Sequence, residues 1–173
     1  FFNRKDSFTL GVGNGCQLLS HLRDIIPGSG LWPTFDRNLS EKFEARLAMV
    51  EMMPSKSILT AGMDGSKLPI VISHGFGRAK FVIDSTLEQL QSSEQAIMRY
   101  IDHMGNATEK YPYNPNGSLG GVTGFCSEDG RVTAMMPHPE RVFRSIQMSW
   151  FPQEWGAYSP WMRLFRNARV WVD

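Results

Sequence analysis

The chain has 173 residues, 42% of them hydrophobic and 20% charged, a balance that suits one globular domain able to bury a core. A net charge of +1 with no Lys/Arg block excludes the electrostatic footprint of a nucleic-acid binder, and no apolar run approaches the ~20 residues a membrane span needs. Cys16 and Cys126 are too few for a disulfide framework and lack metal-ligand spacing, so the expectation is a cytoplasmic chain with no metal site.

Phe1 to Asp6 lacks the charged-then-apolar order of a signal peptide. Phe8 to Gly13 reads as a short buried strand. Asn14-Gly15 marks a turn, after which Leu18, Leu19, Leu22, Ile25 and Ile26 recur at helical spacing until Pro27-Gly28 stops the helix. The middle is strand-rich, with candidates at 44–52, 69–74, 79–83 and 96–102. Ser85-Thr86-Leu87-Glu88 has a capping-box pattern and predicts a short helix. Segments 122–126 and 131–135 flank Glu128-Asp129-Gly130, the pattern of a hairpin. Ser159-Pro160 then opens a final helix over 161–172, with Trp161, Leu164, Phe165, Ala168 and Trp171 along one side. Strands and helices interleave, so the class is α/β with a mixed sheet. The chain starts a few residues before what reads as a central strand, like the later part of a domain.

Two segments carry chemistry. Gly11-Val12-Gly13-Asn14-Gly15, between strand and helix, has the outline of a nucleophile elbow, in which the central residue sits on a strained turn at a helix N-terminus. Gly11 and Gly15 are the small residues on either side, and Gly13 is the centre. The positive end of the helix dipole there favours a thiolate or oxyanion. Far downstream, Met135-Met136-Pro137-His138-Pro139-Glu140-Arg141 ends a strand. There Glu140 can fix one ring nitrogen of His138 and leave the other to face a nucleophile.

Together these segments resemble the class I, triad-type glutamine amidotransferases. Within that group they are similar to the C-terminal domains of the large single-chain formylglycinamidine ribonucleotide amidotransferases (phosphoribosylformylglycinamidine synthases) of purine synthesis. Supporting stretches are Phe43 to Arg46, Ser73-His74-Gly75, Tyr111 to Ser118 and Ser159 to Arg169, so the resemblance spans essentially the whole chain. It implies a flavodoxin-like class I fold: a mixed, mainly parallel central sheet flanked by helices, with its opening segment and the upstream synthetase domain lying outside residues 1–173. It implies that a cysteine at the elbow attacks the side-chain amide of L-glutamine, forming a thioester and releasing ammonia. His138 would shuttle protons and Glu140 would orient it. Gln17 and Asn14 would line the glutamine pocket, and His74 would face it. No cofactor is implied in this domain. The full-length enzyme would use ATP and magnesium in its synthetase domain to consume the ammonia.

The chain departs from that pattern at its centre. Gly13 stands where the family has the nucleophilic cysteine, so the expected glutaminase is disabled, and the alternative reading is a non-catalytic domain that packs on a synthetase. Cys16 is not a simple replacement: its neighbours two places away, Asn14 and Leu18, do not permit an elbow, and it reads as a small, partly buried helix residue, although labelling of Cys16 by a glutamine-like electrophile would restore it as a nucleophile. Phe76 replaces the acid of the family's Ser-His-Gly-Glu-Gly-Arg, which unsettles hydrogen bonding around His74. His21 and His103 read as solvated. An α/β-hydrolase is disfavoured because its acid precedes its histidine in sequence, whereas Glu140 follows His138.

Overall fold

The computed structural model describes residues 1–173. In chain order the elements are β1 (Thr9–Val12), α1 (Asn14–His21), β2 (Thr34–Asp36), β3 (Glu44–Met52), β4 (Lys67–His74), β5 (Arg78–Lys80), α2 (Ser85–Ser92), β6 (Ala96–Tyr100), β7 (Val122–Cys126), β8 (Val132–Met135) and α3 (Met162–Val172). Six strands form one sheet in the order β1-β8-β7-β6-β3-β4, and β2 pairs with β5 in a separate two-stranded ribbon.

The α/β class and the mixed sheet are as expected. Two finer expectations need correction. Only β1 and β8 run parallel; the other four pairings of the sheet are antiparallel. A parallel pair needs a long crossover, usually through a helix, whereas β7 and β8 are joined by the short Ser127-to-Arg131 loop that can only return antiparallel. Moreover β1 lies at an edge of this sheet and not at its centre.

Alternating side chains divide the core between the two sheet faces. Met135 belongs with Val50, Met52, Ile70, Ile72, Tyr100, Trp161 and Leu164 in one cluster, covered by α3. Val132 and Ala134 belong with Cys16, Leu19, Leu87, Leu90 and Phe125 in the other, covered by α1 and α2. Trp161 is wholly buried and its indole N–H donates to the Pro69 carbonyl at 2.8 Å, so α3 is tied to β4 as well as packed on it. The Trp171 ring meets Phe8 edge-on at 5.5 Å, bringing the end of α3 to the start of β1. The Ser159 hydroxyl accepts from the Trp161 N–H at 3.2 Å, but Trp161 and not Ser159 is the N-cap of α3, so the expected cap and first helical position, Ser159 and Pro160, lie just ahead of the helix. At α2 likewise Asp84 takes the N-cap position and makes no side-chain cap bond, so the capping box expected at Ser85-Thr86-Leu87-Glu88 does not form.

Candidate active site

The parallel pairing of β1 with β8 positions the site. Their register runs Thr9 to Val132, Leu10 to Thr133, Gly11 to Ala134 and Val12 to Met135, and the Gly13 N–H extends it by donating to the Met135 carbonyl at 3.0 Å. The segments leaving the two carboxyl ends, Gly13 and Met136-Pro137-His138, therefore start side by side. In α/β sheets this end of the strands is where ligands bind.

Gly13 is the N-cap of α1, with φ 56° and ψ −113°. A positive φ favours glycine, and this is the sharp strand-to-helix turn expected of an elbow. Gly11 is also required. A Cβ there would lie 2.5 Å from Leu19 Cδ1 and 2.7 Å from the Gly15 carbonyl oxygen, so only a residue without a side chain lets α1 turn back so closely. Gly15 was expected to matter for the same reason and does not, since a Cβ on it would meet nothing within 4 Å.

His138 meets the elbow. Its N–H donates to the Val71 carbonyl at 2.8 Å, which means the sheet curls enough for the chain beyond β8 to reach β4. Its ring then stands over residue 13: a Cβ on Gly13 would be 2.8 Å from Cε1 and 2.9 Å from Nε2. On the other side, Nδ1 is 2.7 Å from Glu140 Oε1. The carboxylate accepts from Nδ1–H, fixing the tautomer and leaving the Nε2 lone pair toward the elbow. The His138 side chain is 13% exposed and that of Glu140 45%, so the dyad lies between core and solvent. Pro139 opens the short 3-10 turn Pro139–Arg141 that brings the carboxylate back under the ring.

Beside the elbow lies a cavity of about 380 Å³. Asn14 and Gln17, one helical turn apart on α1, line one wall, and Ser73 and His74 at the end of β4 line the other. Gln17 Nε2 donates to the Phe76 carbonyl at 2.6 Å, so this side chain braces the two walls together. Arg37, Glu41 and Lys42, none of them singled out by the sequence, bring charge of both signs to the cavity.

His74 is 5% exposed, and neither ring nitrogen has a hydrogen-bond partner. Burial pushes its pKa down to about 4, with the charge of His138 adding to the effect, so the ring is neutral near pH 7. Its backbone is held firmly. Asn38 Nδ2 donates to the His74 carbonyl at 2.8 Å, the Gly77 N–H donates to Asn38 Oδ1 at 3.0 Å, and Asn116 Nδ2 donates to the Gly77 carbonyl at 2.7 Å. Asn116 belongs to the Tyr111–Ser118 stretch, whose part in holding the cavity wall was not legible from its spacing.

Cys16 is fully buried in the core beneath α1, where desolvation raises its thiol pKa far above the usual range. It offers no thiolate. His21 and His103 are exposed and away from the site, as expected. No group of three or more His, Cys, Asp or Glu side chains is gathered to hold a metal ion, and no helix is long and apolar enough to cross a membrane.

A family model for the CobB/CobQ-like glutamine amidotransferase domain matches residues 1–172. Among solved structures, the chain is similar in fold to PurLQS from Thermotoga maritima, with 23% sequence identity and a TM-score of 0.66. That match covers 95% of this chain and 61% of the other, so the chain spans about three fifths of the length of the protein it resembles.

Proposed function

The chain belongs to the CobB/CobQ-like glutamine amidotransferase domain family, and from that premise we propose that it is the glutaminase portion of a phosphoribosylformylglycinamidine synthase in which the amide-cleaving step has been lost. The observation that carries this reading is the convergence on one point of an elbow with positive φ, an imidazole 2.9 Å from where a Cβ on residue 13 would stand, and a carboxylate 2.7 Å behind that imidazole. Three such parts, contributed from opposite ends of the chain, are what a nucleophile, its base and the base's orienter require.

In this reading the cavity takes L-glutamine. Asn14 and Gln17 lie beside the side-chain amide, and the neutral His74 ring forms part of the facing wall. The mixed charges of Arg37, Glu41 and Lys42 suit an α-carboxylate and an α-ammonium. A family enzyme uses a thiol at position 13 to take the acyl group, with His138 moving the proton to departing ammonia. Gly13 supplies no thiol. Loss of the nucleophile from a serine-protease triad costs about 10⁶ in turnover, or roughly 8 kcal/mol at about 1.36 kcal/mol per decade. Released ammonia would serve a synthetase that uses ATP and magnesium to make formylglycinamidine ribonucleotide in the cytoplasm.

Gly13 also favours a second reading, a domain that keeps the amidotransferase shape only to pack on its synthetase. The two separate on L-glutamine titrated calorimetrically against the chain. Saturable binding without ammonia release supports a retained glutamine site. No binding, together with ammonia-driven amidine synthesis by the synthetase-bearing protein, supports the packing role alone.

A further inference from the structure

In this chain the edge of the His138 ring occupies the volume that a side chain at the elbow would fill, since a Cβ on residue 13 would be closer than 3 Å to both Cε1 and Nε2. Glu140 holds Nδ1 at 2.7 Å, so the neutral ring keeps its lone pair on Nε2, directed at the start of α1. The N–H groups of the first turn of that eight-residue helix have no intrahelical acceptor. A nucleophilic atom thus stands beside donors able to stabilise an oxyanion, with no thiol between them.

We propose that His138 Nε2 is itself an acyl-accepting nucleophile in this chain, with activated esters such as aryl esters, and not amides, as its substrates. Nε2 forms a bond to the acyl carbon while the carbonyl electron pair moves to oxygen, beside the first turn of α1. When the carbonyl reforms, the C–O bond to the aryl group breaks and the aryloxide leaves with its electron pair. The acyl-imidazolium that remains keeps its Nδ1–H on Glu140, whose negative charge offsets the new positive one. Water then adds to the acyl carbon, the C–N bond breaks, Nε2 recovers its lone pair, and the carboxylic acid and one proton pass to solvent.

The leaving group sets the substrate class. In the adduct of an amide, the amine nitrogen is a far stronger base than imidazole, so imidazole is expelled and the starting materials return. In the adduct of a nitrophenyl ester, nitrophenolate is about as weak a base as imidazole, so its departure competes with return to the starting ester. The same ring that cannot cleave glutamine without a thiol can therefore turn over an activated ester. This depends on the position of His138 and not on which ligand fills the neighbouring cavity.

The test is 4-nitrophenyl acetate hydrolysis by the chain, followed by nitrophenolate absorbance, with acid-quenched samples mapped by peptide mass. The expected result is a rate that falls by about 10²-fold in His138→Gln, persists in His21→Gln and His103→Gln, and is accompanied by a transient acetyl group on the peptide containing His138. An unchanged rate in a folded His138→Gln protein would overturn the proposal. Should that variant not fold, acetyl mapping on the unaltered chain decides it: acetylation confined to other residues overturns it equally.

Discussion

His138 Nε2 lies 2.9 Å from the point where a Cβ on Gly13 would stand, although one residue follows the first strand of the sheet and the other follows its last. The contact follows from the β1–β8 register, which ends both strands at the same level, and from the hydrogen bond that draws the His138 backbone onto Val71 of β4. A side chain at residue 13 must displace the ring, which a Cβ there would approach closer than 3 Å, and adopt a positive φ. We expect Gly13→Cys to fold but to lose about 1–3 kcal/mol, measured by denaturant unfolding. No loss would mean that the turn relaxes freely.

The two glycines flanking the elbow centre should behave differently. Gly11→Ala drives a methyl group into Leu19 and the Gly15 carbonyl and should cost about 1–3 kcal/mol or more. Gly15→Ala meets no neighbour and sits in the first turn of α1, where alanine should be neutral or stabilise by about 0.5–1 kcal/mol. Thermal melts of the two variants side by side check the contrast. Equal destabilisation would refute the close approach of α1 to β1.

The buried His74 gives the fold a pH dependence of defined sign. Its pKa is about 4 in the folded chain against 6.5 for the free side chain, so between those values the unfolded chain binds the proton and the folded chain does not. Stability should therefore be fully present above pH 6.5 and fall as pH drops toward 4, by at most about 3 kcal/mol from this group. Urea midpoints from pH 4 to 7 for the unaltered chain and for His74→Gln test this, the variant being flatter over that window.

Trp161 joins α3 to the sheet. It is wholly buried, and its indole N–H is bonded to Pro69. Trp161→Ala should cost about 3–5 kcal/mol, while Trp161→Phe should restore part of the packing and leave the Pro69 carbonyl without its donor. If the alanine variant melted with the unaltered chain, α3 would not be part of the core.

Much of this architecture was legible because the relevant signals are local. The strand at 44–52 alternates buried and exposed residues along its length, the 122–135 hairpin carries its own turn residues, and α3 shows its apolar side in sequence. The elbow and the His138-Pro139-Glu140 segment were each recognisable from residue type. β2 was not legible, since three residues are too few to show a period, and its pairing with β5 is fixed by Arg78 and Lys80 meeting Asp36. The edge position of β1 and the largely antiparallel sheet depend on long-range pairing that no local pattern encodes. The same holds for the cavity wall. Asn38 and Asn116 hold the His74-to-Gly77 loop through bonds between residues nearly forty positions apart, and each looks in sequence like an ordinary turn residue.

The proposed function requires position 13, His138 and Glu140 to form a glutamine-directed site that lacks only the CH2–SH group of a cysteine. Its most direct measurement is the rate at which 6-diazo-5-oxo-L-norleucine, an electrophile shaped like glutamine, labels Gly13→Cys, followed by intact mass. One adduct should form far faster than with free cysteine, be suppressed by L-glutamine, slow markedly when His138→Gln is added, and be absent from the unaltered chain. Labelling of the introduced thiol at the rate of free cysteine, indifferent to L-glutamine and to His138, would contradict the claim.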